Sequence, residues 1–117
     1  MPSINIGNTS QQRVVNFSGS LNSNGNNNVI PAPGAGYEIV ISMYCIQNTT
    51  TTPTTFKLQT AGSPFLTVLA QNQGDGVCVQ KPANREIRCG NNNAVTLNLS
   101  GANAHNCNID YWIDTAI

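Results

Sequence analysis

Charged residues are scarce in this chain: they make up 9% of its 117 residues, and the formal net charge is zero. A protein that holds nucleic acid through its phosphates needs a basic surface, so the composition excludes that class. The one local group of cations, within residues 81–88, also contains Glu86 and is interpreted as a solvated loop. A neutral surface tolerates permanent contact with other proteins, which favours a component of an assembly.

Long hydrophobic runs are also missing. No stretch approaches the 18 apolar residues of a membrane-spanning helix, so no membrane association is expected. The N-terminus, "MPSINIGNTSQQR", has neither the apolar core nor the basic start of a secretory signal. We therefore expect synthesis in a cytoplasm without export by the usual route.

Residues that bind metals or carry out catalysis are few. The chain has one histidine, His105, and four cysteines whose spacing fits no zinc or redox motif. A nucleophile formed by His105 with Cys107 or Ser100 is left open, but an exposed histidine at the start of a strand is the preferred interpretation. No metal, no cofactor, no catalytic residue and no enzymatic activity are predicted.

The few acidic residues do not change this conclusion. Asp110 and Asp114 are predicted on one face of the last strand, where a hydrolase would need two carboxylates converging in a cleft. They are interpreted as exposed carboxylates. Asp75, in "NQGDG", lacks the D-x-D-x-D series of a calcium loop.

Alternation of polar and apolar residues recurs along the chain, whereas helical spacing is never sustained. It predicts eight or nine short strands joined by turns rich in glycine and asparagine, without significant helix. The fold class is therefore all-β, an antiparallel β-sandwich of jelly-roll type. The predicted strands are residues 12–17, 37–47, 54–60, 65–71, 76–81, 85–89, 94–100 and 105–113.

Two aromatic residues are candidates for an interface. Alternation in residues 37–47 places Ile39, Ile41, Met43 and Cys45 on one face and Tyr44 on the other. In the last strand, Trp112 falls opposite the isoleucine face. Since both aromatic side chains would leave apolar area on an uncharged surface, they predict a homo-oligomer, a dimer or a trimer.

The cysteines suggest one possible disulfide. Strands 76–81 and 85–89, joined by "KPAN", are predicted to form a hairpin that sets Cys78 almost opposite Cys89, close enough for a bond. Two free thiols are the alternative. Cys45 and Cys107 lie on apolar alternations and are predicted to be buried free thiols, unless their strands are neighbours in one sheet.

The segment from about residue 36 to the end resembles small bacteriophage capsid decoration, or cement, proteins. The resemblance lies in the order of four strands: "GYEIVISMYCIQN", "TTFKLQTAGS", "NNNAVTLNLSGA" and "NIDYWID". It implies a structural virion protein without an active site, which binds the outside of a phage capsid at junctions between major capsid subunits and stabilises the shell. The major capsid protein is then the partner, and the location is the capsid surface after synthesis in the host cytoplasm.

Residues 1–35 match no part of that pattern. They are predicted to form a loop-rich N-terminal arm with a first strand, part of a single domain whose β-sandwich body is residues 36–117. A second function is kept open: a phage tail or receptor-binding module of the same fold that recognises a carbohydrate through Tyr44 and Trp112.

Overall fold

Nine strands build two antiparallel sheets in the structure of this protein, a computed structural model that describes residues 13–117. No helix occurs among these residues, as the alternation predicts. The strands are β1 (Val15–Leu21), β2 (Gly25–Ile30), β3 (Tyr37–Asn48), β4 (Thr54–Thr60), β5 (Ser63–Ala70), β6 (Gly76–Gln80), β7 (Ile87–Arg88), β8 (Val95–Leu99) and β9 (His105–Thr115).

The two sheets pack face to face as a jelly roll. The first sheet has the order β1-β9-β3-β6, with β7 also paired to β3, and the second has the order β2-β8-β4-β5. Consecutive strands therefore cross repeatedly from one sheet to the other, which is the double Greek-key connection of this fold. The predicted all-β jelly-roll sandwich is confirmed.

The core fills the space between the inner faces of the two sheets. In β8, Val95, Leu97 and Leu99 are at most 1% exposed and alternate with Thr96 and Asn98, as predicted. Because the side chains of a strand alternate between faces, each strand supplies every second residue to this layer. The largest fully buried core residues are Phe56, Ile30, Ile39, Ile41, Ile46, Leu58, Leu97, Leu99 and Ile109.

A β-bulge in β3 changes the predicted faces of that strand. Asp110 of β9 pairs with Met43, but the next residue, Tyr111, pairs with Ile41, so Ser42 is the extra residue. The hydroxyl of Ser42 donates to the carbonyl oxygen of Asp110 at 3.3 Å. Since one inserted residue reverses the alternation beyond it, Tyr44 joins Ile41 on the core side. The predicted placement of Tyr44 opposite the isoleucine face is wrong.

The predicted N-terminal arm is also corrected, because residues 15–30 form strands of the sandwich. β1 pairs with β9, and β2 pairs with β8. The asparagines of β2 are typical of a loop in the sequence. In the structure, however, Asn27 is 7% exposed, and its side-chain amide donates to the carbonyl oxygen of Leu97 at 3.2 Å. Gln12, the start of the predicted first strand, and the rest of residues 1–12 lie outside the described residues.

The predicted hairpin of residues 76–89 does not form. β6 pairs with residues 43–47 of β3, and β7 pairs with residues 40–41 of the same strand, both antiparallel. The two short strands therefore follow one another along a single edge of β3 instead of pairing with each other. Residues 81–86 form the loop between them.

Residues 90–93, one glycine and three asparagines after β7, form a turn, as expected for turns rich in these residues. Gly90 and Asn92 have positive φ angles of 85° and 56°, which glycine and asparagine tolerate best. The side-chain oxygen of Asn92 accepts a hydrogen bond from the Gly34 N–H at 2.9 Å, and that of Asn91 accepts one from the Gly36 N–H at 2.8 Å. The run thus fastens the loop before β3.

Candidate functional site

A disulfide bond joins the neighbouring strands β3 and β6 at the surface of the first sheet. Cys45 and Cys78 are directly opposed in the ladder, with Cα atoms 4.0 Å apart, and their sulfur atoms are bonded. Cys45 is half-buried and Cys78 is exposed. The bond ties the edge strand β6 to the longest strand of the sheet.

The predicted bond between Cys78 and Cys89 is therefore wrong. The Cys89 N–H donates to the carbonyl oxygen of Ile39, whereas Cys78 lies opposite Cys45. Six residues of strand separate these two positions, about 20 Å at about 3.3 Å per residue, while a disulfide needs Cα atoms within about 7 Å. The cause is the collinear arrangement of β6 and β7.

The other two cysteines are free and buried. Cys107 matches its prediction, whereas Cys45, predicted to be a free thiol as well, is bonded. Burial raises the pKa of Cys107 to about 12. Burial also raises the pKa of Cys89 to about 11, with a hydrogen bond to Thr60 opposing it and the charge of Glu38 adding to it. Because the thiolate is the nucleophile, neither residue is activated for catalysis.

A cavity of about 250 Å³ lies beside the disulfide, between β3 and the turn that precedes β6. The two cysteines, Gln47, Gly74 and Gly76 line it. Gly76 is required here: a Cβ at this position would overlap the carbonyl oxygen of Ile46 and lie 2.8 Å from the Cα of Gln47. No charged side chain is among these lining residues.

One part of the outer face of the first sheet, which extends from β1 to β6, carries almost no charge. Residues paired across β1, β9, β3 and β6 share a face, so their register defines a grid of side chains. Asp110 is its single charged member, and Asn16 donates to it at 2.8 Å. We call this grid the polar face: Asn16, Ser18, Ser20, Asn106, Asn108, Asp110, Met43, Cys45, Gln47, Gly76, Cys78 and Gln80.

The two predicted interface aromatics occupy different surroundings. Tyr44 is 7% exposed and belongs to the core, as a result of the bulge at Ser42, so it cannot contribute to an outer interface. Trp112 does lie on the outer face, in the row of Val40 and Arg88. It is half-buried, and its indole N–H is enclosed without an acceptor among residues 13–117.

A buried carboxylate organises one end of the first sheet. Glu38 is 2% exposed and accepts hydrogen bonds from the Arg88 Nε at 3.0 Å, the Gly90 N–H at 3.1 Å and the Ile117 N–H at 3.2 Å. Arg88 also bonds Asp114 at 3.0 Å, so it is not part of the solvated loop predicted for residues 81–88. The carboxylate thus joins β3, the segment after β7 and the C-terminus.

The charge of Glu38 is stabilised despite its burial. Burial acts to raise the pKa of this carboxyl, but hydrogen bonds from the Gly90 and Ile117 backbone and from the Arg88 guanidinium outweigh it. The pKa of Glu38 is therefore lowered. A carboxylate held in its charged form by three donors is suited to a structural role rather than to proton transfer.

His105 is buried, contrary to the predicted exposed position. It is 0% exposed, its Nδ1 lies 2.8 Å from the carbonyl oxygen of Asn103, and its ring meets the edge of Phe56 with centroids 5.5 Å apart. The alternation that buries Cys107 and Ile109 also places His105 on the inner face, so its burial could have been predicted from the sequence. A side chain without solvent access has no route to a substrate, so the partnership with Ser100 or Cys107 offers no catalytic site.

The acidic residues are engaged in local contacts. Asp110 and Asp114 are four residues apart on one strand, about 13 Å, which exceeds the roughly 5–9.5 Å between the carboxylates of glycosidases. Asp75 accepts hydrogen bonds from the backbone and side chain of Asn72, which fixes the turn before β6. Among residues 13–117, no three His, Cys, Asp or Glu side chains are grouped to hold a metal ion.

The part of the chain that the structure describes contains no helix capable of crossing a membrane.

Comparison with known proteins identifies no function for this chain. No protein-family model matches the chain, and no curated protein matches it. Among solved structures, the chain is similar to Bacillus endospore appendages, described as a novel family of disulfide-linked pili, with 16% identity, 99% coverage of both chains and a TM-score of 0.46. At this TM-score the neighbour says nothing about what this chain does.

Proposed function

We propose that this protein is a structural component of a larger assembly, and specifically a decoration protein that binds the outside of a phage capsid at junctions between major capsid subunits. The observation that carries the structural role is the polar face, which spans four strands with one charged side chain among its members. Serine, asparagine and glutamine side chains on the outer face of a sheet form hydrogen bonds with another protein surface at little cost in charge desolvation. The capsid as the partner rests on the resemblance of residues 36–117 to decoration proteins.

Rigidity of the polar face supports this role. The Cys45–Cys78 bond fixes its β6 edge, and the Glu38–Arg88–Asp114 contacts fix the end of the same sheet. A surface that is ordered before binding loses little conformational entropy when it docks. Binding of several copies across several capsid subunits then adds avidity, which raises the effective affinity of each weak contact.

The experiment is to purify particles of the phage that carries this gene and to identify the chain in them by mass spectrometry. Particles lacking it are then mixed with the purified protein and sedimented. Wild type should co-sediment in a saturable amount, and Asn106→Lys, which adds a charge at an exposed position of the polar face, should bind at least tenfold more weakly. The matched control is Thr67→Lys, at an exposed position on β5 of the other sheet.

Absence of the chain from the particles, or equal binding by both lysine variants, would contradict the proposal. The carbohydrate-binding alternative has lost Tyr44 as a candidate, because that side chain is buried. Binding to host-cell envelopes in place of capsids would support the carbohydrate-binding alternative.

A further inference from the structure

Within residues 13–117, the first sheet ends in an edge strand, β1, that no other strand covers. It is the last strand in the order β1-β9-β3-β6, and among residues 13–117 no strand pairs with its far side. An edge strand presents unpaired backbone N–H and C=O groups that can pair with another chain. Natural proteins usually block such edges with charged residues, prolines or bulges.

β1 has none of these protections, whereas other edge strands do. Its sequence, "VNFSGSL", contains no charged residue and no proline, and its seven pairs with β9 run without a register shift. By contrast, β5 contains Pro64 and a register shift, and β2 has a register shift of its own. β6 is five residues long and is followed by Lys81 and Pro82.

We propose that the partner of this edge is β1 of a second copy of the chain, paired antiparallel about a two-fold axis near Ser18. The argument is self-complementarity, because "VNFSGSL" has the same alternation of apolar and polar positions in both directions. A pairing centred on Ser18 sets Val15 opposite Leu21, Asn16 opposite Ser20, and Phe17 opposite Gly19. Residues opposed across antiparallel strands share a face, so apolar side chains meet apolar ones and polar side chains meet polar ones.

The inner-side residues fit this pairing. Val15 is 45% exposed, and Phe17 and Leu21 are only half-buried, so each has apolar area still to cover. The Phe17 ring of its own chain covers Gly19, since a Cβ built on that residue would lie 3.3 Å from the ring. An aromatic side chain opposite an edge glycine is a stabilising cross-strand arrangement.

Charge also favours the antiparallel arrangement. Arg13, the first described residue, lies two positions before β1. In a parallel pair the two Arg13 side chains would be neighbours, whereas the two-fold pairing places them at opposite ends, about 30 Å apart along the strands. The polar faces of the two copies then become one continuous surface on an extended sheet.

This inference gives a geometry to the homo-oligomer that the sequence predicts and concerns the isolated chain, so its test is separate from capsid binding. The two copies of Ser18 would face each other with Cβ atoms about 4.5–5.5 Å apart. Ser18 is exposed, so replacing it leaves the core unchanged. Ser18→Lys and Ser18→Asp would each place two like charges at the axis, and a mixture of the two variants would place opposite charges there.

Sedimentation equilibrium of the full chain measures the outcome, with circular dichroism confirming that each variant is folded. Wild type should be a dimer, each single variant should raise the dimer dissociation constant at least tenfold, and an equimolar mixture of the two variants should restore the dimer. Ser63→Lys, at an exposed serine of the edge strand β5, is the control and should behave as wild type.

A wild-type monomer at tens of micromolar would overturn the proposal, including the case in which residues 1–12 cover this edge. A dimer that survives both Ser18 variants, or a mixture that stays monomeric, would also overturn it.

Discussion

Removal of the Cys45–Cys78 bond should lower the free energy of unfolding by an amount set by the length of the loop that the bond closes. The two residues are 33 positions apart, and cross-linking a loop of that length lowers the entropy of the unfolded chain by an amount worth about 3.7 kcal/mol at 25 °C. The double variant Cys45→Ala/Cys78→Ala keeps the β3–β6 backbone ladder and loses the cross-link. It should therefore be less stable by about 3–4 kcal/mol, and its melting temperature should fall by about 10–20 °C.

Urea unfolding with and without a reducing agent provides the assay. The reductant should destabilise wild type by the same amount and leave the double variant unchanged, which separates loss of the bond from loss of side-chain packing. Thiol titration in denaturant without reductant should count two thiols, Cys89 and Cys107. Four thiols, or wild-type stability that does not respond to reductant, would refute this reasoning.

Two further substitutions test the ends of the first sheet. Glu38→Gln should lower the free energy of unfolding by about 2–3 kcal/mol in urea, because it breaks a buried ion pair whose partner Arg88 is partly exposed. The control is Glu86→Gln, which replaces a carboxylate without a hydrogen bond among the described residues and should lower it by under about 0.5 kcal/mol. The pKa of Glu38 is lowered on folding, so its contribution is present above the unfolded pKa of about 4.3 and is lost as pH falls through the folded value. Wild type should thus lose more stability than Glu38→Gln between about pH 5 and pH 3, and parallel pH profiles would contradict this. Gly76→Ala should lower the free energy of unfolding by at least about 2 kcal/mol, because the added Cβ meets the backbone of β3. Gly19→Ala, whose added Cβ meets only a side-chain ring, should lower it by less. Equal losses in the two variants would be inconsistent with the close pairing of β6.

Alternation identified the strands that contain no inserted residue of their own. β4 has the predicted bounds of residues 54–60, β8 buries Val95, Leu97 and Leu99, and β9 buries Cys107 and Ile109. In these strands the period of two is uninterrupted, so a local pattern suffices to assign the faces. The fold class follows because many such segments joined by turns have few other ways to bury their apolar faces.

Three of the failures have a different origin, because each depends on contacts between distant residues. The bulge at Ser42 is set by pairing with β9, and it moves Tyr44 into the core although the sequence alternates through it. The pairing of β6 and β7 with β3 rather than with each other decides which cysteines meet. β2 is a strand because Asn27 finds acceptors in its own turn and in β8, which its composition does not reveal.

Capsid melting tests the proposed function most directly. Capsids purified without this protein are heated in a scanning calorimeter, alone and with the protein at about 100 times its dissociation constant, where binding adds about 2.7 kcal/mol per site. The capsid transition should move to a higher temperature with wild type and with Thr67→Lys, and much less with Asn106→Lys. Capsids that melt at the same temperature with and without the wild-type protein would contradict the proposed cement role.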